Sequence, residues 1–473
     1  MEGSKNIKIN EINYYFNDLI YSNKPAINYN NSVLTYKEVV SKSLSLVFGL
    51  KNKYGIKAKD RILIQLDNCP EFIYCYLAAL FGGYTIVPID NSIGKKDFNY
   101  IVDEVKPKLI IQKKKQLIFS DSYEYIFKTN ENDIFAIFFT SGTTGLPKGV
   151  CHQISSLFSN ALSFNEKVGF NDKINMFHIM PMGYMAGFLN TILCPLACEG
   201  SITIGTRFHF SSVMNFWDDA IKYNANTIWL SPTMVSLITK LSRDNEKIKW
   251  VNENIKNVFV GTAPLSEKIF KLFYNKFGIK CLESYGMTEA LIISTNIPGK
   301  VKINSVGKIL SGVKIKEKSF SNNKLEHKIF VQSNYMFKKY FGQSDNIVKS
   351  KWFPTGDLGF IDEHDYFFIS GREKDLIIKG GVNISPTNIE NCLLEMEEID
   401  EAVVVGKPHE FWGEEVIAFV KLHFSNTCNI DKIINHCESL INPESVPSNI
   451  IIVDDIPRSS TGKAQKHKLL EML

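Results

Sequence analysis

Short apolar runs alternate with amphipathic stretches through the first two-thirds of the chain. Residues 61–66 (RILIQL) read as a strand, 71–81 as a helix, 85–89 as a strand, 96–105 as a helix and 108–112 as a strand. That βαβαβ order points to a parallel sheet covered by helices. The same alternation returns later. It places strands at 134–139, 201–204, 227–230, 257–260 and 280–282, and helices at 152–164, 211–223, 232–241 and 266–277. After about residue 300 the segments shorten and turn residues multiply, so 301–368 reads as a small β-rich subdomain. A compact α+β pattern follows, with strands at 376–379, 402–405, 414–422 and 449–453 and helices at 386–396, 431–440 and 463–473. The expected organisation is a large N-terminal α/β domain of parallel-rich sheets with helices, carrying the β-rich subdomain, over 1–372. A small α+β domain follows over 373–473, roughly 100 residues and so of ordinary domain size.

One segment could mislead. Residues 174–198 contain no Asp, Glu, Lys or Arg, a length that could span a bilayer. Pro181, Pro195, Gly183, Gly187, Asn175, His178 and Asn190 interrupt it, and a lone membrane helix could not satisfy those groups. It reads as buried core or pocket wall. With 44% apolar and 22% charged residues the whole chain can bury a large core. A net charge of +4 without a concentrated basic block argues against nucleic acid as a partner. The nine cysteines include no CxxC pair, so neither a metal framework nor a disulfide framework is expected. A reducing compartment, the cytoplasm, is the simplest reading. The N-terminus lacks the apolar core of a signal peptide.

The chemistry concentrates at 138–150, FFTSGTTGLPKGV. An apolar strand enters a loop of hydroxyls and glycines: Thr140, Ser141, Gly142, Thr143, Thr144, Gly145 and, further on, Lys148. Glycines let backbone N–H groups approach a polyphosphate, hydroxyls add donors and the lysine adds charge. The order does not fit a Walker A loop. A strand before the loop and a helix after it are expected.

TSGTTGLPKG closely resembles the signature of the adenylate-forming superfamily, which comprises acyl-CoA synthetases, adenylation domains and beetle luciferases. Four further motifs of that family follow in order: Tyr285-Gly286-Met287-Thr288-Glu289, Thr355-Gly356-Asp357, Gly371-Arg372-Glu373-Lys374-Asp375 and Pro457-Arg458-Ser459-Ser460-Thr461-Gly462-Lys463. The resemblance implies attack of a carboxylate on the α-phosphate of ATP, giving an acyl-adenylate and pyrophosphate. Two anions meet in that step, so positive charge and a divalent ion are needed. Glu289 offers a hard oxygen suited to Mg²⁺, with Thr288 beside it. Tyr285, next to Gly286, offers a face for adenine, and Asp357 an acceptor for ribose hydroxyls. Gly261, Thr262 and Ala263 resemble the loop along the adenine edge. Only five of the 54 basic residues are Arg, and two of them, Arg372 and Arg458, fall in these motifs. Arg372 reads as a ribose or phosphate contact and Arg458 as an orienter near Lys463. Lys463, before the last helix, is the expected catalytic charge for adenylation. Lys374 is the implied hinge, and Gly380-Gly381 the loop presented for thioester formation.

Family members often carry an aromatic–His pair in a PMxHxxG-like element; here the text is Pro181-Met182-Gly183-Tyr184-Met185-Ala186-Gly187. Tyr184 takes the His position and Gly183 the aromatic one. Tyr184, Gly187, Asn190 and Met287 are expected to line the acid pocket. No Asp is placed there to pair an ammonium group, which favours a non-amino, largely apolar acid. Together these readings make the chain an AMP-forming acid–thiol ligase that uses ATP, Mg²⁺ and CoA. The resemblance of 371–386 to acyl-CoA synthetases puts CoA first as acceptor. An acyl carrier protein is the alternative acceptor, and a non-catalytic nucleotide-binding relative the alternative class; a luciferase-like oxidase ranks third.

Overall fold

The computed structural model describes residues 7–140, 146–208, 214–319, 327–343, 352–423, 428–458 and 464–473. Among these, one six-stranded sheet has the order Lys339–Tyr340, Lys148–His152, Ala136–Thr140, Thr85–Pro88, Arg61–Ile64, Leu109–Ile111. The last four strands run parallel, as the βαβαβ pattern predicts. The helix Pro70–Gly82 between two of them starts on a proline and stops at Gly83, in the left-handed region at φ 70°. The other end of the sheet departs from expectation. Lys148–His152 is a strand, antiparallel to Ala136–Thr140 with Thr140 opposite Lys148, and the expected 152–164 helix runs Ile154–Val168. The hydroxyl-rich loop therefore joins two hairpin strands and does not lead into a helix. Packing explains the strand: a Cβ on Gly149 would lie 2.9 Å from Ile137 and 3.0 Å from both Phe139 and Phe341.

A nine-stranded sheet lies beside it, in the order Lys308–Ile309, Leu291–Thr295, Cys281–Met287, Asn257–Val260, Thr227–Leu230, Asn175–His178, Ser201–Ile204, Pro25–Tyr29, Ser32–Thr35. Its centre is parallel and its two ends are antiparallel hairpins. The strand expected at 280–282 extends to Met287 because it pairs with Leu291–Thr295. Gly286 permits that pairing, since a Cβ there would come within 2.4 Å of the Leu291 carbonyl oxygen. The helix Tyr36–Tyr54 opens on a Thr35–Glu38 capping box and closes at Gly55. The uncharged segment 174–198 is core: the strand Asn175–His178, the short helix Met185–Phe188, a π-helical turn Leu189–Leu193 and Cys194–Leu196. No helix among the described residues is long and apolar enough to cross a membrane. Of the helix expected over 211–223, residues 211–213 lie outside the described residues and Asp218–Lys222 is helical.

The β-rich subdomain is an antiparallel sheet of Val313–Ser319, His327–Ser333, Phe353–Ile361 and Phe367–Arg372. Beyond it, Ile377–Lys379, Val382–Ile384, Ile399–His409, Gly413–Leu422 and Asn449–Ile452 form a further sheet, packed by Pro386–Leu394 and Ile430–Leu440 around its own core of Ile389, Leu393, Val404, Val416 and Ile433. Two lysines of the large domain reach this small one. Lys268 donates to the carbonyls of Met396 (2.7 Å) and Ile399 (2.9 Å), and Lys240 pairs with Asp400 at 2.8 Å.

Candidate active site

Three of the motifs converge on one carboxylate. Asp357 lies opposite Arg372 across neighbouring antiparallel strands, and Arg372 Nε donates to Asp357 Oδ1 at 3.1 Å. The Tyr285 hydroxyl donates to Asp357 Oδ2 from 72 residues away. Asp357 N–H is held by Thr355 Oγ1 at 3.0 Å, and the Thr355 hydroxyl is tied to Ile329 O at 2.8 Å. The carboxylate is buried, and burial together with its charge pushes the Tyr285 phenol well above its usual range, so Tyr285 stays a donor. Each carboxylate oxygen keeps a lone pair for a ligand hydroxyl. The Tyr285 ring meets Phe367 edge-on at 5.6 Å.

A second carboxylate is oriented nearby. Tyr340 OH donates to Glu289 Oε1 at 2.9 Å, leaving Oε2 for another partner, and Phe337 N–H fixes the Glu289 carbonyl at 2.8 Å. Tyr340 comes from the short edge strand paired with Lys148–His152. Beside Glu289, the Thr288 carbonyl meets His152 Nε2 at 2.7 Å. A carbonyl only accepts, so Nε2 carries the proton. His152 is fully buried, and burial pushes its pKa down to about 4, so it is a neutral support for the Thr288–Glu289 turn. Sequence reading missed both Tyr340 and His152. Neither sits in a recognisable motif, and the second was absorbed into a predicted helix. If Glu289 holds Mg²⁺, as proposed below, Tyr340→Phe should raise the Mg²⁺ concentration needed for half-maximal activity about tenfold, as removal of a group that orients a metal ligand does. A magnesium titration of turnover checks this; an unchanged midpoint would detach Tyr340 from the metal.

The loop Gly261-Thr262-Ala263 leaves the strand Asn257–Val260 beside the strand carrying Tyr285. Thr262 holds φ 76°, strained for a β-branched residue, and its Oγ1 is buried without a partner among the described residues. Leu265 N–H, at the end of the loop, donates to Glu283 Oε2 at 3.1 Å. In the expected acid pocket, Gly183 has no room for an aromatic: a Cβ would lie 2.5 Å from the Ile89 carbonyl. Gly187 likewise abuts Pro181 O. Burial raises the Tyr184 phenol above its usual range, the Arg372 charge opposing and the Glu289 charge adding to that shift. Asn190 is buried. Met287 is on the same strand as Tyr285.

The structure thus joins Tyr285, Asp357 and Arg372 directly, and places Gly286 on the Tyr285 strand with Thr288 and Glu289 in the turn that follows it. Thr140 and Lys148 face each other at the mouth of the loop whose residues Ser141, Gly142, Thr143, Thr144 and Gly145 lie outside the described set. Lys463 lies outside it as well; Arg458 and Ala464 bridge the ends of its loop, and the Arg458 guanidinium pairs with Glu401. Lys374 occupies the turn Glu373–Asp375 after Arg372. Gly380 and Gly381 form the two-residue turn of a hairpin at φ 57° and 83°, with Gly380 N–H bound to Trp412 O at 2.8 Å.

A buried carboxylate on the antiparallel subdomain, held by an arginine of its own sheet and by a tyrosine from the large sheet, is the kind of polar centre that an enzyme site needs. The chain belongs to the AMP-binding enzyme family: residues 20–341 match the model of that name, and 388–463 match the AMP-binding enzyme C-terminal domain. Its curated relatives include the 2-succinylbenzoate–CoA ligase of Oceanobacillus iheyensis, 28% identical and covering 94% of this chain and 96% of the relative. The long-chain-fatty-acid–CoA ligase of Bacillus subtilis is 26% identical, covering 95% and 92%. The fold matches that of ATP-bound MatB from Rhodopseudomonas palustris with a TM-score of 0.88 at 24% identity, covering 98% of this chain and 99% of the other.

Proposed function

We propose that the protein is an AMP-forming acid–thiol ligase that joins a carboxylic acid to CoA. The observation that carries this is the Tyr285–Asp357–Arg372 junction, which sets a buried carboxylate acceptor beside a guanidinium from three distant motifs. In the first step a carboxylate oxygen of the acid attacks the α-phosphorus of ATP, the bond to the bridging oxygen breaks and pyrophosphate leaves. In the second, the CoA sulfur attacks the acyl carbon, its proton is lost and AMP departs. Asp357 anchors the ribose, and Arg372 offers the phosphate chain paired donors that a lysine could not. Thr140 and Lys148, paired across the hairpin, face the phosphates. Glu289 fits Mg²⁺, because Tyr340 occupies one of its oxygens and leaves the other for a hard cation. The ion would supply positive charge for the departing pyrophosphate. Residues 1–372 bind ATP and acid. Residues 373–473 turn about Lys374, offering Lys463 for the first step and Gly380-Gly381 for the second.

Acid-dependent exchange of pyrophosphate into ATP, followed by thioester assays with CoA and with an acyl carrier protein, tests this reading. Exchange without any acid dependence across short, medium, long and aryl acids would overturn it, and thioester formed only on the carrier would replace CoA as acceptor. Tyr184→Ala should reorder the acids accepted, with the KM for ATP within about twofold; an unchanged ranking would remove Tyr184 from the acid pocket.

A further inference from the structure

Two lysines on neighbouring helices of the large domain, Pro232–Leu241 and Glu267–Phe277, hold the small one. Lys276 Nζ donates to Thr239 O and ties the two helices to each other. Lys268 Nζ lies among the carbonyls of the turn that follows the helix Pro386–Leu394: Met396 O at 2.7 Å, Ile399 O at 2.9 Å and Glu397 O at 3.4 Å. One residue further, Asp400 takes Lys240 at 2.8 Å, with its side chain only 10% exposed. Burial lowers the Lys268 ammonium from its usual range, the Asp400 charge opposing that shift and the Lys240 charge adding to it. Charge-assisted contacts of this kind are the strong ones at a polar boundary. The small domain has its own apolar core, so they are not what folds it.

The contacts sit at one end of the small domain's sheet. Its two long strands pair from Ile399 with Leu422 to His409 with Gly413. At the Asp400 end, the next residue, Glu401, receives the Arg458 guanidinium, and Arg458 bridges to Ala464 at the base of the Lys463 loop. The Gly380-Gly381 hairpin belongs to the other end, where Lys379 pairs with Gly413, about 30 Å away at about 3.3 Å per residue. There Ile378, Val382, Phe411 and Trp412 are 46–82% exposed. Lys268, for its part, stands three residues after Leu265, where the Gly261 loop ends. The described arrangement therefore holds the end of the small domain that carries the base of the Lys463 loop against the helix that continues the nucleotide loop, and leaves the thiol-side hairpin in solvent.

We propose that Lys268 and Lys240 are positioning residues that latch the small domain in the adenylate-forming position, acting through the turn 396–400, and that their release is part of the passage to thioester formation. This rests on the acid-ligase reading and adds to it the groups that set how the enzyme divides its time between the two steps. The ratio of the two half-reaction rates then follows the ratio of the two populations, and a contact made in only one position moves that ratio directly.

The two steps are measured apart, as acid-dependent exchange of pyrophosphate into ATP and as thioester formed from synthetic acyl-adenylate and CoA. Lys268→Met keeps the apolar stem and removes the donor. It should lower the ratio of the first rate to the second at least about fivefold. Asp400→Lys should do the same, and Lys240→Asp added to it should restore the ratio to within about twofold of the parent, because the exchanged charges attract again. Without any substrate, backbone hydrogen exchange over 266–271 and 395–401 should quicken in Lys268→Met, while 416–420 in the small domain's core stays at the parent rate. An unchanged ratio in Lys268→Met and Asp400→Lys would overturn the proposal, and so would a charge exchange that restores nothing. Equal loss of both half-reactions with a lower melting temperature would make the lysines structural and overturn it as well. If no acid supports pyrophosphate exchange, the ligase reading fails, and hydrogen exchange still judges the latch: rates equal to the parent's over 266–271 and 395–401 would remove it.

Discussion

Lys463→Ala should slow acyl-adenylate formation by about 10²–10³ while thioester formation from synthetic acyl-adenylate and CoA stays near the parent rate. On the proposed mechanism the lysine's charge is needed when carboxylate meets α-phosphate. It is not needed once the adenylate exists. Its loop is pinned at the base by the Arg458–Ala464 bridge and by Gln465 N–H to Pro457 O at 2.8 Å, so the substitution leaves the frame intact. The Gly380-Gly381 hairpin is a separate element, closed by residues that both need φ above zero, and Gly381→Val should impair the second step selectively. On the proposed two-position scheme the small domain leaves, between the steps, the contacts that Lys268 and Lys240 make with Met396, Ile399 and Asp400. Rapid-quench measurement of each half-reaction decides the matter. Equal slowing of both by Lys463→Ala, in a folded protein, would remove the two-position scheme.

Glu283→Gln should stabilise the protein by about 3 kcal/mol near pH 8 and by almost nothing near pH 4.5. Glu283 is buried on the strand that carries Tyr285, and burial raises its carboxyl from 4.5 to about 7. Its folded affinity for a proton therefore exceeds its unfolded one. The stability this confers is complete below pH 4.5 and is lost as pH rises through about 7, where the fold must hold an unpaired carboxylate. Glutamine keeps the acceptor for Leu265 N–H and never ionises. Melting curves from about pH 4.5 to 8 should show a gap of several degrees that opens with pH. The neutral histidines His152 and His178 have the opposite sign, losing stability as pH falls below 6.5, so a gap that opened toward acid would point to them and away from Glu283.

The strands 201–204, 227–230 and 257–260 were legible because each is a short apolar run with polar ends, and each is buried in the middle of a sheet. Lys148–His152 was not, because a five-residue segment with a glycine and a histidine has no period of its own; its partners on both sides make it a strand. The site divides in the same way. The motif residues announce themselves through resemblance, while their partnerships span 72 residues for Tyr285 with Asp357 and 51 for Tyr340 with Glu289. Spacing along a chain carries no information about contacts made that far apart. His152 and Tyr340 belong wholly to that second category.

The hairpin at Thr140 and Lys148 alters how an anion is held and let go. A loop that opens a helix presents a permanent positive end to bound phosphate, and that field cannot be withdrawn. Two antiparallel strands have no such end, and the following helix begins only at Ile154. On the proposed reading, positive charge for a polyphosphate here comes from Lys148 and from a cation held at Glu289 instead of from a helix end. On that reading part of the charge that holds pyrophosphate belongs to an ion, which can depart together with the product.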